Sequence, residues 1–439
     1  MTEWLPLAVL TSGLVFGLVT GFPVAFALAS SAIIASWIFI GPASLPFVAT
    51  NIFGMMSNMV LIAMPLFIFM ACVLEKCGIA HALYNFMHQL LGPLRGGLSI
   101  GTVLICTVIA AMSGVTTTGV VTMGIIALPI MLKHGYSKSI AIGPILAGGA
   151  LGILIPPSVS LIIYGMIARV SIGRLFAAGI IPGLILSFLF TSYIGIRCYF
   201  QPHLAPVLPP DQRVSLKEKI LLARGLILPV LLIIAVLGSI FLGIASPTEA
   251  AALGAVGALI SAAINRQFNW HMLKEASYRT MAINGMIMWI LFGASCFTSI
   301  FFRTGGAQLI KDMIIGAGLE PVHFFLIAIA IMIFLGFFID EITEMMITIP
   351  VFLPIVIELG YDPVWFGILF MVEEQMDYLT PPFGFTLFYM KGVAPPEVSM
   401  GDIYRSILPF VALQFIVMLV ILFFPQITLW LPNAIFGLR

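Results

Sequence analysis

The sequence predicts an all-α polytopic membrane protein, and three observations carry that expectation. Of the 439 residues, 61% are hydrophobic and only 8% are charged, against roughly 25% in an ordinary soluble domain. Apolar runs recur along the chain at about 20 residues, the length a helix needs to cross the hydrocarbon. The alternating pattern of a membrane β-barrel, in runs of about ten, is not seen. Secreted disulfide scaffolds, disordered tails and nucleic-acid binders are excluded by the same numbers. A net charge of +1 creates no field toward an acidic partner. The five cysteines are scattered without a C-x-x-C pair and read as small packing residues. The start, MTEWLPLAVL, has Glu3 and no basic region, so its first apolar segment reads as a retained helix.

In chain order, apolar segments are expected at 5–21, 23–40 and 46–74, followed by an amphipathic stretch at 76–95. Further apolar segments lie at 98–131, 139–168 and 172–200. The most polar stretch, 201–224, carries Pro209, Pro210, Asp211, Arg213 and Lys217 and reads as a cytoplasmic linker. Beyond it come segments at 225–244, 248–264, 280–302, 322–357, 362–393 and 403–424, then a short apolar tail. The stretch 98–131 is interrupted by M-S-G-V-T-T-T-G at 112–119, and 322–357 by F-I-D-E-I-T-E at 338–344. Each is too long for one crossing and too short for two with a proper turn. Both read as re-entrant hairpins, whose polar tips need surrounding protein or a water-filled cavity. Tandem prolines break two other segments, in G-I-L-I-P-P-S at 152–158 and D-Y-L-T-P-P-F at 377–383. Each proline removes a backbone donor and interrupts the helix.

These features repeat. An offset of 225 carries Pro129 to Pro354, Gly135 to Gly360, Tyr136 to Tyr361, Pro156 to Pro381, Pro157 to Pro382 and Tyr164 to Tyr389. Over 129–164 against 354–389, eight of 36 positions are identical without a gap. The expected architecture is a repeat of two halves, 1–200 and 225–439, each with about five spans, one hairpin and one broken helix. An odd number of spans inverts the second half. With the N-terminus outside, 14 Lys and Arg face the cytoplasm and five face out, as the positive-inside rule requires. The first hairpin then enters from the cytoplasm and the second from the opposite side. Inverted halves with broken helices describe a secondary transporter with its site at mid-membrane. The sequence carries no nucleotide-binding signature.

The candidate site follows from the interruptions. At the first tip, Ser113, Gly114 and Thr116 offer hard oxygen ligands for Na⁺, and Thr117 and Thr118 offer hydroxyls to a substrate. The helix leaving the tip also points its positive end at an anion. At the first break, unwound carbonyls near Gly152 and Pro156 suit a cation, and Ser158 suits the substrate. The second half is acidic instead. Asp340, Thr343, Asp377 and Thr380 are its expected ion ligands, and Glu341, Glu373 and Glu374 its expected substrate contacts. An ionisable group at membrane depth costs about 2.5–3.5 kcal/mol on insertion scales. The acids therefore need ions, protons, water or a cationic substrate group. Glu344, or one of Glu373 and Glu374, is expected at a solvated mouth. Arg169 and Arg174 are expected in a solvated turn, and the six histidines on the surface.

The sequence resembles the large membrane subunit of a tripartite ATP-independent periplasmic (TRAP) transporter. The resemblance is carried by S-P-T-E-A-A-A-L-G-A at 246–255, S-G-V-T-T-T-G at 113–119, L-K-H-G-Y at 132–136 and G-A-L-G-I-L-I-P-P-S at 149–158. V-S-I-G-R-L-F-A-A-G-I-I-P-G at 170–183 and L-T-P-P-F-G at 379–384 add to it. It covers nearly the whole chain. It implies an ion-transporter-like elevator fold in the bacterial inner membrane, Na⁺ as coupling ion, and uptake of a small organic acid. It implies two partners, a small membrane subunit of about four helices on a separate chain and a periplasmic substrate-binding protein. The acidic set is richer than the family's usual pattern, which points to a substrate bearing an amine beside its carboxylate. Membrane lipid surrounds the complex.

Overall fold

The computed structural model describes residues 4–209, 215–306, 308–310, 312, 320–382 and 384–437. Among them are twenty α-helices and no strand. The first half contains α1 (Trp4–Val19), α2 (Val24–Phe39), α3 (Leu45–Met56), α4 (Ala63–Lys76), α5 (Ile79–Leu91), α6 (Gly97–Ser113), α7 (Thr116–Lys133), α8 (Lys138–Ala150), α9 (Val159–Ala168) and α10 (Ile172–Phe200). A short α11 (Leu216–Ala223) leads into α12 (Ile227–Phe241), α13 (Pro247–Ile264) and α14 (Trp270–Arg303). The rest is α15 (Pro321–Gly336), α16 (Glu341–Glu358), α17 (Pro363–Asp377), α18 (Phe385–Val393), α19 (Met400–Phe423) and α20 (Gln426–Phe436). Seven helical stretches of the described residues are long and apolar enough to cross a membrane.

Element bounds recur at the spacing of the sequence motifs. The offset of 225 carries Thr116 and Lys133, the ends of α7, onto Glu341 and Glu358, the ends of α16. It carries Lys138, which opens α8, onto Pro363, which opens α17. The pairs α6–α7 and α15–α16 each fold back as a helical hairpin at one of the polar interruptions.

Three expectations need correction. The segment 46–74 is not one span. It divides at 57–62, where Asn58 turns extended and its side chain accepts the Val60 N–H at 3.0 Å. α3 has no buried residue. Its counterpart, expected at 280–302, begins instead at Trp270 and runs unbroken for 34 residues. Hydropathy hides those first turns because they are polar. Asn269 caps them by accepting the Met272 N–H at 2.9 Å, and they pair with the end of α4 through Lys76–Glu275 at 2.6 Å and Arg279–Glu75 at 2.8 Å. The linker is also less free than its polarity suggests. The Leu208 N–H donates to Gly92 O and the Ser137 N–H to Leu204 O, both at 2.8 Å, so residues 201–209 lie against the base of the first hairpin. Residues 210–214, with Pro210, Asp211 and Arg213, lie outside the described residues, as do Lys311, Arg439 and most of the amphipathic stretch 304–318.

The helices pack in two groups. In one, α4 packs on α13 and α14, α2 on α1 and α14, and α12 on α13. Small residues set that spacing: a Cβ on Gly293 would overlap the Ala25 carbonyl, the close approach that membrane helices use. Their outer faces stay apolar and exposed, as at Val19, Ile244 and Trp289. In the other group the two hairpins, α8, α9, α17 and α18 pack with α10 and α19. Its centre holds fully buried Trp365 and Tyr164. Both satisfy their polar ends, Trp365 Nε1–H on Ile421 O at 2.9 Å and Tyr164 O–H on Pro363 O at 2.6 Å, as buried Trp and Tyr usually do.

Candidate functional site

Each hairpin tip lies against one helix break. α6 ends where Gly114 turns left-handed at φ 61° and Val115 extends. Glycine is required twice over there, since a Cβ would also overlap the Pro157 carbonyl. The Val159 N–H reaches Gly114 O at 3.4 Å. Gly152 approaches the tip from the break, with only 3.0 Å between an added Cβ and Thr116 N. Thus Gly114 and Thr116 of the tip meet Gly152, Pro157 and Ser158 of the break, with Ser113 and Pro156 next to them in the chain. Ser113, Thr116 and Pro156 are buried, and the Thr116 hydroxyl has no protein partner. The tip is neutral, with hydroxyl and carbonyl oxygens close together, the donor set that hard monovalent cations accept.

The proposed substrate contacts of the first half are less uniform. Thr117 and Thr118 are half-buried. Thr118 and Ser113 line a narrow cleft with Glu75, Met112 and Thr122. Ser158 instead commits its hydroxyl locally. It donates to Ile153 O at 2.6 Å and accepts the Leu161 N–H at 3.3 Å, capping α9.

The second tip is built by Asp340, the N-cap of α16. Its carboxylate accepts the Thr343 N–H at 3.3 Å and the Thr343 hydroxyl at 2.6 Å. Glu341 sits one residue on, and the Ser160 hydroxyl of α9 donates to its Oε1 at 2.6 Å. This bond joins the helix after the first break to the second tip. Facing the tip, the last turns of α17 carry Glu373, Glu374 and Asp377. Thr380, half-buried, donates its hydroxyl to Met376 O at 2.6 Å. The two breaks differ in exposure: Pro156 and Pro157 are buried, Pro381 and Pro382 exposed.

The acids are deeper than the sequence predicts. Glu344 and Glu373 are 0% exposed, Glu374 2% and Asp377 6%. None of the three glutamates lies at a solvated mouth. Both carboxylate oxygens of Glu344, Glu373 and Asp377 lack a hydrogen-bond partner, as do Glu341 Oε2 and Glu374 Oε1. The ion pairs found among the described residues lie elsewhere, at Lys76–Glu275, Lys138–Asp402, Arg174–Asp362 and Arg279–Glu75, with His271 near Glu275. Glu344 is the residue that sequence reasoning placed wrongly. Its signal was available: it lies three residues after Glu341, within the first turn of α16, on a helix whose neighbouring positions are apolar. Arg174 was also misplaced. It is not in a solvated turn but bridges Asp362 at 3.1 Å and Asn433 at 3.3 Å.

A bundle of membrane helices with two hairpin tips set against two helix breaks is the fold of a transporter. The chain aligns with the crystal structure of the Alcanivorax borkumensis YdaH transporter over 90% of both chains, at a TM-score of 0.63 and 16% identity, a likeness of fold alone. Residues 11–427 match the family described as the tripartite ATP-independent periplasmic transporter, DctM component, and the chain belongs to that family. It is 31% identical over 447 residues to the C4-dicarboxylate TRAP transporter large permease protein of Vibrio cholerae, covering 97% of each chain. It is also 31% identical over 379 residues to the ectoine/5-hydroxyectoine TRAP transporter large permease protein of Ruegeria pomeroyi, covering 86% of this chain and 87% of that one. The protein is therefore a multi-pass inner-membrane permease subunit and not an enzyme.

Proposed function

We propose that this permease carries out Na⁺-coupled secondary uptake of a small organic acid by an elevator movement. The observation that carries the reading is the apposition of each hairpin tip with a proline break, the two pairs being bridged by Ser160 and Glu341. Na⁺ binds at the first pair, to oxygens of Ser113, Gly114, Thr116, Gly152 and Pro156. A second cation binds at the other pair, where Asp340, Thr343, Asp377 and Thr380 are its counterparts. The substrate lies between the tips, its carboxylate toward Thr117, Thr118 and the positive end of α7. Partly exposed Glu341 faces it from the second tip. The burial of Glu373 and Glu374 favours ion binding over direct substrate contact for both.

The two packing groups support a fixed scaffold of α1–α4 and α12–α14 and a moving unit built on the hairpins, related as two inverted halves of five spans. A small four-helix membrane subunit on a separate chain covers part of the scaffold. A periplasmic binding protein delivers the substrate. The ectoine relative's name supports a substrate with a cationic group beside its carboxylate, which Glu341 and Asp340 suit.

Reconstitution tests this. In proteoliposomes containing both membrane subunits and the binding protein, uptake is expected to require an inward Na⁺ gradient. Ser113→Ala and Asp340→Ala are expected to weaken the dependence on Na⁺ while the protein still folds. Unchanged uptake with choline in place of Na⁺ would remove Na⁺ coupling.

A further inference from the structure

The cleft beside the first tip has two unlike walls. One is the end of α4 and the start of α5, with Leu74, Glu75 and Ala80. The other is the first hairpin, with Ser113, Thr118 and Thr122. Thr118 and Thr122 are one turn apart, so their hydroxyls follow each other along the same side of α7, away from the tip. Thr102 and Thr107 of α6 return their hydroxyls to carbonyls of their own helix at 2.8 and 2.9 Å. Among the described residues, Thr118 and Thr122 make no such bond. On the opposite wall Glu75 is held by Arg279 of α14, which donates from Nη1 to its Oε1 at 2.8 Å. That bond uses one guanidinium nitrogen, and the Arg279 side chain is 37% exposed, so donors remain for a second acceptor. The nearest other charges cancel each other, Lys76 meeting Glu275 at 2.6 Å.

We propose that this cleft is the route by which the substrate leaves for the cytoplasm, and that Arg279, positioned by Glu75, receives the substrate carboxylate there. The inference rests on reading Thr117 and Thr118 as carboxylate contacts, and it adds the next residues along the path. Direction comes from the chain. α4 ends at Lys76 and the first hairpin rises from Arg95, and the positive-inside rule puts both on the cytoplasmic face. Chemistry comes from the donors. A carboxylate leaving the tip passes from the Thr118 hydroxyl to that of Thr122, then to a guanidinium, whose paired N–H groups match its two oxygens. Glu75 keeps that last contact weak. It offsets the Arg279 charge, so the anion meets donors without a full positive charge to hold it, and a transit site must bind loosely enough to release. Leu74 and Ala80 add no competing acceptor. The cleft separates α4 from the hairpin, the two groups that part in the proposed movement, so it widens without breaking a helix.

Charged thiol reagents test this in the full chain, since the five native cysteines are buried. The probes are two membrane-impermeant methanethiosulfonates, the anionic sulfonatoethyl and the cationic trimethylammonioethyl form. Thr122→Cys is expected to react in inside-out vesicles and to resist both reagents in intact spheroplasts. Relative to the rates on a free thiol, the anionic form is expected to be favoured. Arg279→Gln is expected to lower that preference by about fivefold and Glu75→Gln to raise it, while Arg279→Lys, which keeps the charge, retains most of it. If Arg279→Gln does not fold, the anion preference of the Thr122→Cys protein and its loss in about 1 M salt decide. No reaction from either side overturns the proposal, as does reaction from outside alone, or a preference that folded Arg279→Gln leaves unchanged. Na⁺-driven uptake with Thr122→Cys shielded from cytoplasmic reagents would defeat this inference and leave the transport reading standing. The expected labelling in a protein whose uptake is indifferent to Na⁺ would do the reverse.

Discussion

Gly336 and Ser160 show how single atoms shape the site. No side chain fits at Gly336 without displacing the Asp377 carboxylate. Overpacking of this kind costs about 1–3 kcal/mol, so Gly336→Ala is expected to lower the thermal unfolding midpoint and, with Asp377 displaced, to reduce uptake. Ser160 contributes one hydrogen bond, to Glu341 Oε1 at 2.6 Å. Loss of a hydrogen bond to a carboxylate costs about 1.5–3 kcal/mol. Ser160→Ala is expected to impair uptake more than Ser158→Ala, whose hydroxyl serves the cap of α9 and the nearby Ile153 carbonyl. Equal losses in a transport assay would contradict the bridging role of Ser160. At this scale the sequence is legible in kind but not in depth. Residue types at the tips mark polar interruptions in an apolar chain. Whether Glu344 meets water or protein depends on which side of α16 packs against α17, and a single strand of text does not specify that packing.

The helices themselves are legible where their pattern is local. S-P-T-E at 246–249 forms a capping box on α13: the Glu249 N–H donates to Ser246 Oγ at 3.3 Å and the Ser246 N–H to Glu249 Oε2 at 2.7 Å. Loss of such a cap typically costs about 1 kcal/mol. Ser246→Ala is expected to destabilise the protein by that amount in a thermal unfolding assay, with the Na⁺ dependence of uptake unchanged. Hairpins and breaks are equally readable, because Gly, Ser, Thr and tandem Pro stand out against an apolar background. Helix ends set by distant partners are not. The polar opening of α14 is helical because Glu75 and Lys76 from α4 receive its charges. Hydropathy averages see only a charged stretch there. The split between α3 and α4 is concealed for the opposite reason, since apolar residues continue through a turn that Asn58 initiates.

For the molecule as a whole, the distribution of basic residues gives an orientation that can be measured. All five native cysteines are buried, so single added cysteines report cleanly. Val207→Cys, exposed in the stretch between the halves, is expected to resist an impermeant thiol reagent in intact spheroplasts. Ile244→Cys, exposed between α12 and α13, is expected to react. The reverse pattern would turn the protein over and exchange the entry sides of the hairpins. The offset of 225 residues made the pairing of elements visible before any coordinates, because proline and glycine mark the same turns in both halves. What it could not reveal is the contact between unlike members of the pairs, the first break with the second tip, since no repeat encodes it.

That contact has a thermodynamic consequence. A hydrogen bond between Ser160 and Glu341 makes the two halves of the site parts of one equilibrium. If filling one half improves binding at the other by some factor, the second ligand must improve the first by the same factor. Cooperativity between ion and substrate is then a property of the link itself, and cutting it at Ser160 should reduce both effects equally. Substrate titrations at several Na⁺ concentrations, and Na⁺ titrations at several substrate concentrations, would return one coupling factor in the intact protein and a common smaller one in Ser160→Ala.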